Sequence, residues 1–150
     1  MIQVQIQQER FDTGVLIAPL MALNAGAVVS FTGIARADEN DAGAVTAIEL
    51  EHYPAMTLAA LQALAEQASE RWELAGCVVL HRAGKIAVGE EIVLVAAASL
   101  HRRAALSATE FLIDTLKTCA PFWKKEYRSD GSAAWVDAKS SDDEAAGKWE

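Results

Sequence analysis

The sequence has little cysteine, no long apolar run and no internal repeat. Its 150 residues include two cysteines, Cys77 and Cys119, which are too few for a disulfide framework and favour a reducing compartment. No apolar run reaches the roughly 18 residues that a membrane span needs. The N-terminal MIQVQIQQER has no basic segment followed by an apolar one, so no secretory signal is expected. These absences predict a cytoplasmic protein that does not act in a membrane.

The sequence also lacks the short motifs of several enzyme classes. It contains no phosphate-binding loop, no GxSxG elbow and no dinucleotide fingerprint. His52, His81 and His101 lie far apart without metal-ligand spacing, so no metal site is expected. The strand patterns around His52 and His81 favour structural roles, whereas His101 is equally compatible with ligand contact and with a solvated helix start. A structural role is also favoured for Cys119.

The charge that is present is unevenly distributed. The formal net charge is −8, which argues against nucleic acid as a general partner. Residues 99–126, SLHRRAALSATEFLIDTLKTCAPFWKKE, nevertheless carry five basic residues against two acidic ones before Glu126. A small anionic ligand would offset the repulsion within such a cationic segment. The alternative is a solvated basic face without a ligand.

The same segment predicts the main helix of the chain. Ala104, Ala108, Phe111 and Leu112 are spaced as one apolar face of an α-helix. Ser99 is the expected N-cap, and Pro121 prevents continuation beyond residue 120.

Elsewhere, alternating apolar patterns and turn residues predict an α+β domain over residues 1–139, followed by an acidic tail over 140–150. Strands are expected near 2–6, 27–31, 45–53, 78–81, 91–98, 125–128 and 134–137. Helices are expected after Asp12 or Thr13, at 54–72 and after Ser99. The strand at 91–98 is almost wholly apolar and should be buried on both faces. Residues 37–43 are predicted to be a polar loop, and the tail either a short helix capped by Ser140 or Ser141 or a disordered segment.

Five segments together resemble the molybdopterin synthase large-subunit family. They are GAVVSFTGIAR (26–36), LEHYPAMT (50–57), HRAGKIAVGEEIVLVAAASLHR (81–102), FLIDTLKTCAPFWKKE (111–126) and WVDAK (135–139). The likeness covers nearly the whole chain and follows the order found in that family. The resemblance implies an α/β hammerhead-type domain with an additional antiparallel β subdomain.

The resemblance also implies an activity and its partners. Large subunits of this family convert cyclic pyranopterin monophosphate to molybdopterin by adding two dithiolene sulfurs. The sulfur arrives as a thiocarboxylate on the C-terminal Gly-Gly tail of a ubiquitin-like small subunit. The implied assembly is a large-subunit homodimer within a heterotetramer, and no cofactor is implied. A non-catalytic module that only binds and regulates the sulfur carrier is the alternative.

Site residues follow from the matching motifs. By resemblance, Lys117 and Lys124 are the catalytic lysines. The substrate-binding set implied in the same way is Arg36, His101, Arg102, Phe31, Ile113 and Lys139. Guanidinium groups hold phosphate with two parallel hydrogen bonds, and lysine can transfer protons after partial burial.

Two positions depart from the common bacterial pattern. Ile34 stands where lysine is frequent and can offer only apolar contact, and Lys139 stands where arginine is frequent and lacks its planar fork. Arg102 and Lys117 are also fifteen residues apart on one predicted helix, or roughly 22 Å. One small ligand could barely bridge them, so the active site is expected to be shared between two copies of the chain.

Overall fold

A computed structural model describes residues 1–136 and 140–149. The elements are β1 (Ile2–Gln7), α1 (Thr13–Met21), β2 (Ala27–Ile34), β3 (Glu39–Asn40), β4 (Gly43–His52), α2 (Pro54–Arg71), β5 (Gly76–Arg82), β6 (Gly84–Ala87), β7 (Glu91–Ser99), α3 (Arg102–Cys119), β8 (Phe122–Arg128), β9 (Ala133–Val136) and α4 (Ser140–Gly147). The predicted α+β class and the additional antiparallel sheet are confirmed.

The first sheet has the strand order β1-β5-β7-β2. β1 and β5 are parallel, whereas β7 is antiparallel to both of its neighbours. Residues 93–99 of β7 are all buried, as the apolar run predicted. Helices cover both faces of the sheet: α2 and α3 pack on one face around Val79, Val95 and Leu112, and α1 packs on the other through Leu20.

The second sheet joins β3, β4, β8 and β9 in that order, and β6 also pairs with β4. Its apolar face is built around the buried side chains of Val45, Ile48, Leu50 and Ile86. The hydroxyl of Thr57, in the first turn of α2, donates to the carbonyl oxygen of Pro121 at 3.4 Å. This contact fixes the chain where it leaves α3 and enters β8.

Two short strands were missed by the sequence prediction. β3 lies within the stretch predicted to be a polar loop and pairs with the start of β4. Its tight turn is closed by the side chain of Asn40, which accepts a hydrogen bond from the Ala42 amide at 2.8 Å. Gly43 follows with a φ of +100°, a conformation that favours glycine. β6 is four residues long and pairs with β4. β8 also begins three residues earlier than expected, at Phe122.

The start of α3 differs from the prediction as well. Ser99 is not the N-cap, because it ends β7, where it is buried and pairs with Ala27. The N-cap is His101, whose side chain makes no capping hydrogen bond. Along the helix, the buried hydroxyls of Thr109 and Thr115 donate to the carbonyls of Ala105 and Phe111, at 2.8 and 2.6 Å. The predicted apolar face is therefore buried without unsatisfied threonines.

The acidic segment after residue 139 adopts the helical alternative. Beyond α4, the indole of Trp149 packs edge-on against Trp72 and Phe111, with ring centroids 5.7 and 5.6 Å apart. Its Nε1 donates to the carboxylate of Asp114 at 2.8 Å. The chain is thus anchored to α2 and α3 close to its C-terminal residue. Within the described residues, no helix combines the length and apolarity needed to cross a membrane.

Candidate active site

An open cavity of about 270 Å³ lies where the C-terminal end of α3 meets the second sheet. Apolar side chains from β4, β7, α3 and β8 form much of its wall, among them Leu50, Ile92, Leu116 and Phe122. Polar and charged side chains complete the lining: Arg36, Asp38, His81, Lys117, Lys124, Glu126 and Asp142. A concave apolar wall with a few polar groups is typical of a small-molecule site.

Three of the predicted site residues meet in this cavity from three different elements. Arg36 follows β2, Lys117 lies in the last turn of α3, and Lys124 lies on β8 opposite Leu50. Lys124 is partly buried, whereas Lys117 and Arg36 are exposed. Three cations around one concave wall can hold an anion, and a guanidinium can do so with two parallel hydrogen bonds.

Backbone contacts fix the position of Arg36. The amide of Ala35 donates to the carbonyl of Glu90 at 3.0 Å, and the amide of Gly89 donates to the carbonyl of Ala35 at 2.9 Å. Ala35 itself is buried. The Arg36 guanidinium forms an exposed ion pair with Asp38 at 3.3 Å. Because exposed pairs of this kind contribute little, an anionic ligand can compete with Asp38 for the guanidinium.

Acidic groups limit the positive charge of the cavity. Glu126 pairs with Arg128 at 3.0 Å, so its charge is already partly compensated. Asp142 extends from α4 to the same cavity. The site therefore combines cations that can bind an anion with carboxylates in the same lining.

His81 lines the cavity although the strand pattern favoured a structural role. It lies on β5, is 5% exposed, and stacks on Phe122 with ring centroids 3.9 Å apart. Burial lowers the pKa of His81 to about 4, the hydrogen bond to the Arg82 carbonyl opposes this, and the charges of Lys117 and His52 lower it further. Its imidazole is therefore neutral near pH 7. No signal in the spacing of the sequence places His81 in the same cavity as Lys117; its stack on Phe122, which joins β5 of the first sheet to β8 of the second, depends on the tertiary fold.

Four of the other predicted residues, which are His101, Arg102, Phe31 and Ile113, are not among the described residues that line this cavity. His101 and Arg102 begin α3, and the helix runs without a break to Cys119. The separation of roughly 22 Å between Arg102 and Lys117 along the axis therefore applies to the folded chain. Phe31, 39% exposed, lies on β2 at the edge of the first sheet. Ile113 is half-buried against the core around Leu112.

Lys139 lies outside the described residues. Cys77 is buried and Cys119 exposed, and both are free thiols. The described ranges contain no group of three or more His, Cys, Asp or Glu side chains that could hold a metal ion.

Fold and site together define an α+β domain with a partly apolar pocket whose described lining carries three cationic and three acidic side chains. Residues 6–119 match the family model described as MoaE protein. A molybdopterin synthase catalytic subunit from Mesorhizobium japonicum is 53% identical over 149 residues, covering 97% of this chain and 92% of the relative. The chain belongs to the MoaE protein family.

Solved structures agree with this assignment. The molybdopterin biosynthesis MoaE protein from Burkholderia ambifaria superposes with a TM-score of 0.83 at 42% identity, covering 99% of this chain and 98% of that one. A molybdopterin synthase from Staphylococcus aureus superposes with a TM-score of 0.81 at 30% identity, covering 88% and 95%. The likeness therefore extends over most of the chain.

Proposed function

We propose that the chain is the catalytic subunit of a molybdopterin synthase and that it transfers sulfur to a phosphorylated pterin precursor. The observation that carries the proposal is the convergence of Arg36, Lys117 and Lys124 on one cavity. The substrate proposed is cyclic pyranopterin monophosphate, whose phosphate suits a guanidinium and whose ring suits the apolar wall. Two cysteines that are both free in the structure agree with the proposed cytoplasmic location.

The sulfur donor proposed is a ubiquitin-like small subunit that ends in a Gly-Gly thiocarboxylate. The relatives are named catalytic subunits, a term that implies at least one further subunit. An extended glycine tail has no side chains, so it can enter a cavity of about 270 Å³ beside Lys117 and Lys124. Lys117 is the proposed essential lysine, and Lys124 assists it.

The test is molybdopterin formation by purified chain, thiocarboxylated small subunit and pterin precursor. Lys117→Ala should abolish product formation, and Lys124→Ala should reduce it severely, because each variant removes one of the two lysine cations from the cavity. Lys125→Ala is the matched control: Lys125 is the next residue on β8 but lies over the rings of Tyr127 and Trp135, away from the cavity. It should retain activity.

Activity of Lys117→Ala above about a tenth of wild type would refute its role, since loss of a group acting in the transition state costs more than that. Tight binding of the small subunit by the wild-type chain without any product would favour the non-catalytic alternative.

A shared active site within a homodimer explains why Arg102 and Lys117 are so far apart. A second copy related by a two-fold axis can bring its own His101 and Arg102 to the cavity of the first. With one small subunit at each outer end, such a dimer becomes the proposed heterotetramer. Phe31 lies on β2, at an edge of the first sheet, and Ile113 on α3; both are proposed to line the pocket in that assembly. Lys139 is proposed to contribute its charge.

Complementation tests the shared site. Arg102→Ala and Lys117→Ala homodimers should each be inactive or weak. A verified heterodimer of the two variants should recover up to about one working site in two, because one of its composite sites keeps both native residues. An inactive heterodimer would show that both groups act within one chain.

A further inference from the structure

His81 is a buried titratable group in the cavity to which the proposed function assigns no role. Two contacts hold its ring. One face stacks on Phe122 at an interplanar angle of 19°, and Nδ1 lies 2.7 Å from the carbonyl oxygen of Arg82. The Arg82 guanidinium in turn donates to the carbonyl of Gln8 at 2.9 and 3.0 Å. The imidazole therefore has little freedom to rotate.

The hydrogen bond to Arg82 determines the tautomer of His81. A carbonyl oxygen only accepts hydrogen bonds, so Nδ1 must carry the proton. In a neutral imidazole Nε2 then has a lone pair and can only accept. Because Phe122 covers a ring face and Nδ1 is occupied, Nε2 is the ring nitrogen that remains to accept a hydrogen bond from a group in the cavity that His81 lines.

Burial, helped by nearby positive charge, keeps the ring neutral. Burial is the main cause of the low pKa of His81, and the positive charge of Lys117 acts in the same direction. The groups that face the ring or share its cavity are His52 from β4, Arg36 and Asp38 after β2, Lys117 from α3, Lys124 and Glu126 from β8, and Asp142 from α4. A second cation at His81 would be repelled by Lys117, whereas a neutral acceptor attracts an ammonium donor.

We infer that His81 is a positioning residue for Lys117, with Nε2 as a fixed acceptor that orients the lysine ammonium within the cavity. This inference deepens the proposed function, since Lys117 is the lysine on which sulfur transfer depends. Lysine has a long flexible side chain and three equivalent donors. A rigid acceptor on β5 limits the positions of Nζ, and small displacements of a reacting group reduce rates strongly.

The tautomer can be tested without any substrate. In a ¹⁵N-histidine-labelled chain, long-range ¹H–¹⁵N spectra distinguish Nδ1–H, Nε2–H and doubly protonated rings. His81 should carry one proton, on Nδ1, throughout the range from about pH 5 to pH 8. A doubly protonated ring within that range, or a proton on Nε2, would overturn the inference.

Substitutions separate positioning from packing. His81→Asn keeps an amide donor near the Nδ1 position but removes the acceptor from the cavity, whereas His81→Gln can place an amide oxygen near Nε2.

Competitive acetylation of Lys117 relative to Lys124 reports directly on the reactivity of the Lys117 amine. The ratio should rise about threefold in His81→Asn, since loss of an acceptor disfavours the charged amine, and should stay near wild type in His81→Gln. Equal ratios in wild type and His81→Asn would refute positioning.

Turnover supplies the functional readout. His81→Asn should lose about tenfold or more in kcat with KM within about twofold of wild type, and His81→Gln should recover most of the loss. Equal impairment of both variants would assign His81 to packing alone. If His81→Asn fails to fold, His81→Phe, which keeps the stacked ring, replaces it. A wild-type chain without turnover would refute the proposed function, while the spectra and the acetylation ratio would still decide the role of His81.

Discussion

Acidification should destabilise the protein through His81. The unfolded imidazole binds a proton near its ordinary pKa of 6.5, whereas burial lowers the pKa of the folded group to about 4. Between those values the unfolded state binds more protons, so the free energy of unfolding rises with pH and falls on acidification. Each pH unit between the two pKa values changes the free energy of unfolding by about 1.4 kcal/mol, so the whole contribution of His81 is about 3 kcal/mol. About 2 kcal/mol of it should be lost between about pH 7 and pH 4.5.

Denaturant unfolding of wild type and His81→Phe at the two pH values isolates this contribution. Other titrating groups are common to both proteins, so the wild type should lose about 2 kcal/mol more than the variant. His101→Asn is the matched control, because it removes an exposed imidazole and leaves a good N-cap; it should behave as wild type. An equal loss in wild type and His81→Phe would refute the reasoning that His81 is buried and neutral.

Three further predictions concern packing and the thiol. Gly26→Ala should destabilise by about 1–3 kcal/mol, because a Cβ there would overlap the carbonyl oxygen of Leu100; unchanged denaturant unfolding would contradict this. Trp149→Ala should cost about 2 kcal/mol in the same measurement through lost ring packing and the lost bond to Asp114, and a change below about 0.5 kcal/mol would contradict it. Cys119→Ser should retain molybdopterin formation, because the sulfur comes from the partner; an inactive variant would contradict this and indicate that the Cys119 thiol takes part in the reaction.

The sequence was most informative where local chemistry decides the structure. Asp12 caps α1 by accepting from the Val15 amide at 3.1 Å, and Pro54 occupies the first turn of α2, both as the patterns predicted. The burial of β7 on both faces followed from its apolar run. The position of Ser99 could not be predicted in this way, because its pairing with Ala27 across the sheet overrides its preference for a helix N-cap.

In the candidate site, too, some residues could be identified from the sequence and others only from the fold. Resemblance identified Arg36, Lys117 and Lys124 as site residues, and the fold brings these three to one cavity. The place of His81 depends on a stack with Phe122, forty-one positions along the chain. That contact requires β5 and β8 to approach each other from different sheets, and no spacing rule expresses it. The roles of His101, Arg102, Phe31, Ile113 and Lys139 stay predictions that depend on a second copy of the chain or on the substrate.

The most direct test of the account follows the sulfur itself. The thiocarboxylated small subunit is incubated with the chain and the pterin precursor, and intact-mass spectrometry monitors its tail while product is measured in parallel. The account predicts that sulfur on the tail is replaced by oxygen only when both the chain and the precursor are present, with two tails consumed for each molybdopterin, and that Lys117→Ala stops both changes while Lys125→Ala stops neither. A tail that keeps its sulfur in the presence of the folded wild-type chain and precursor would contradict the account.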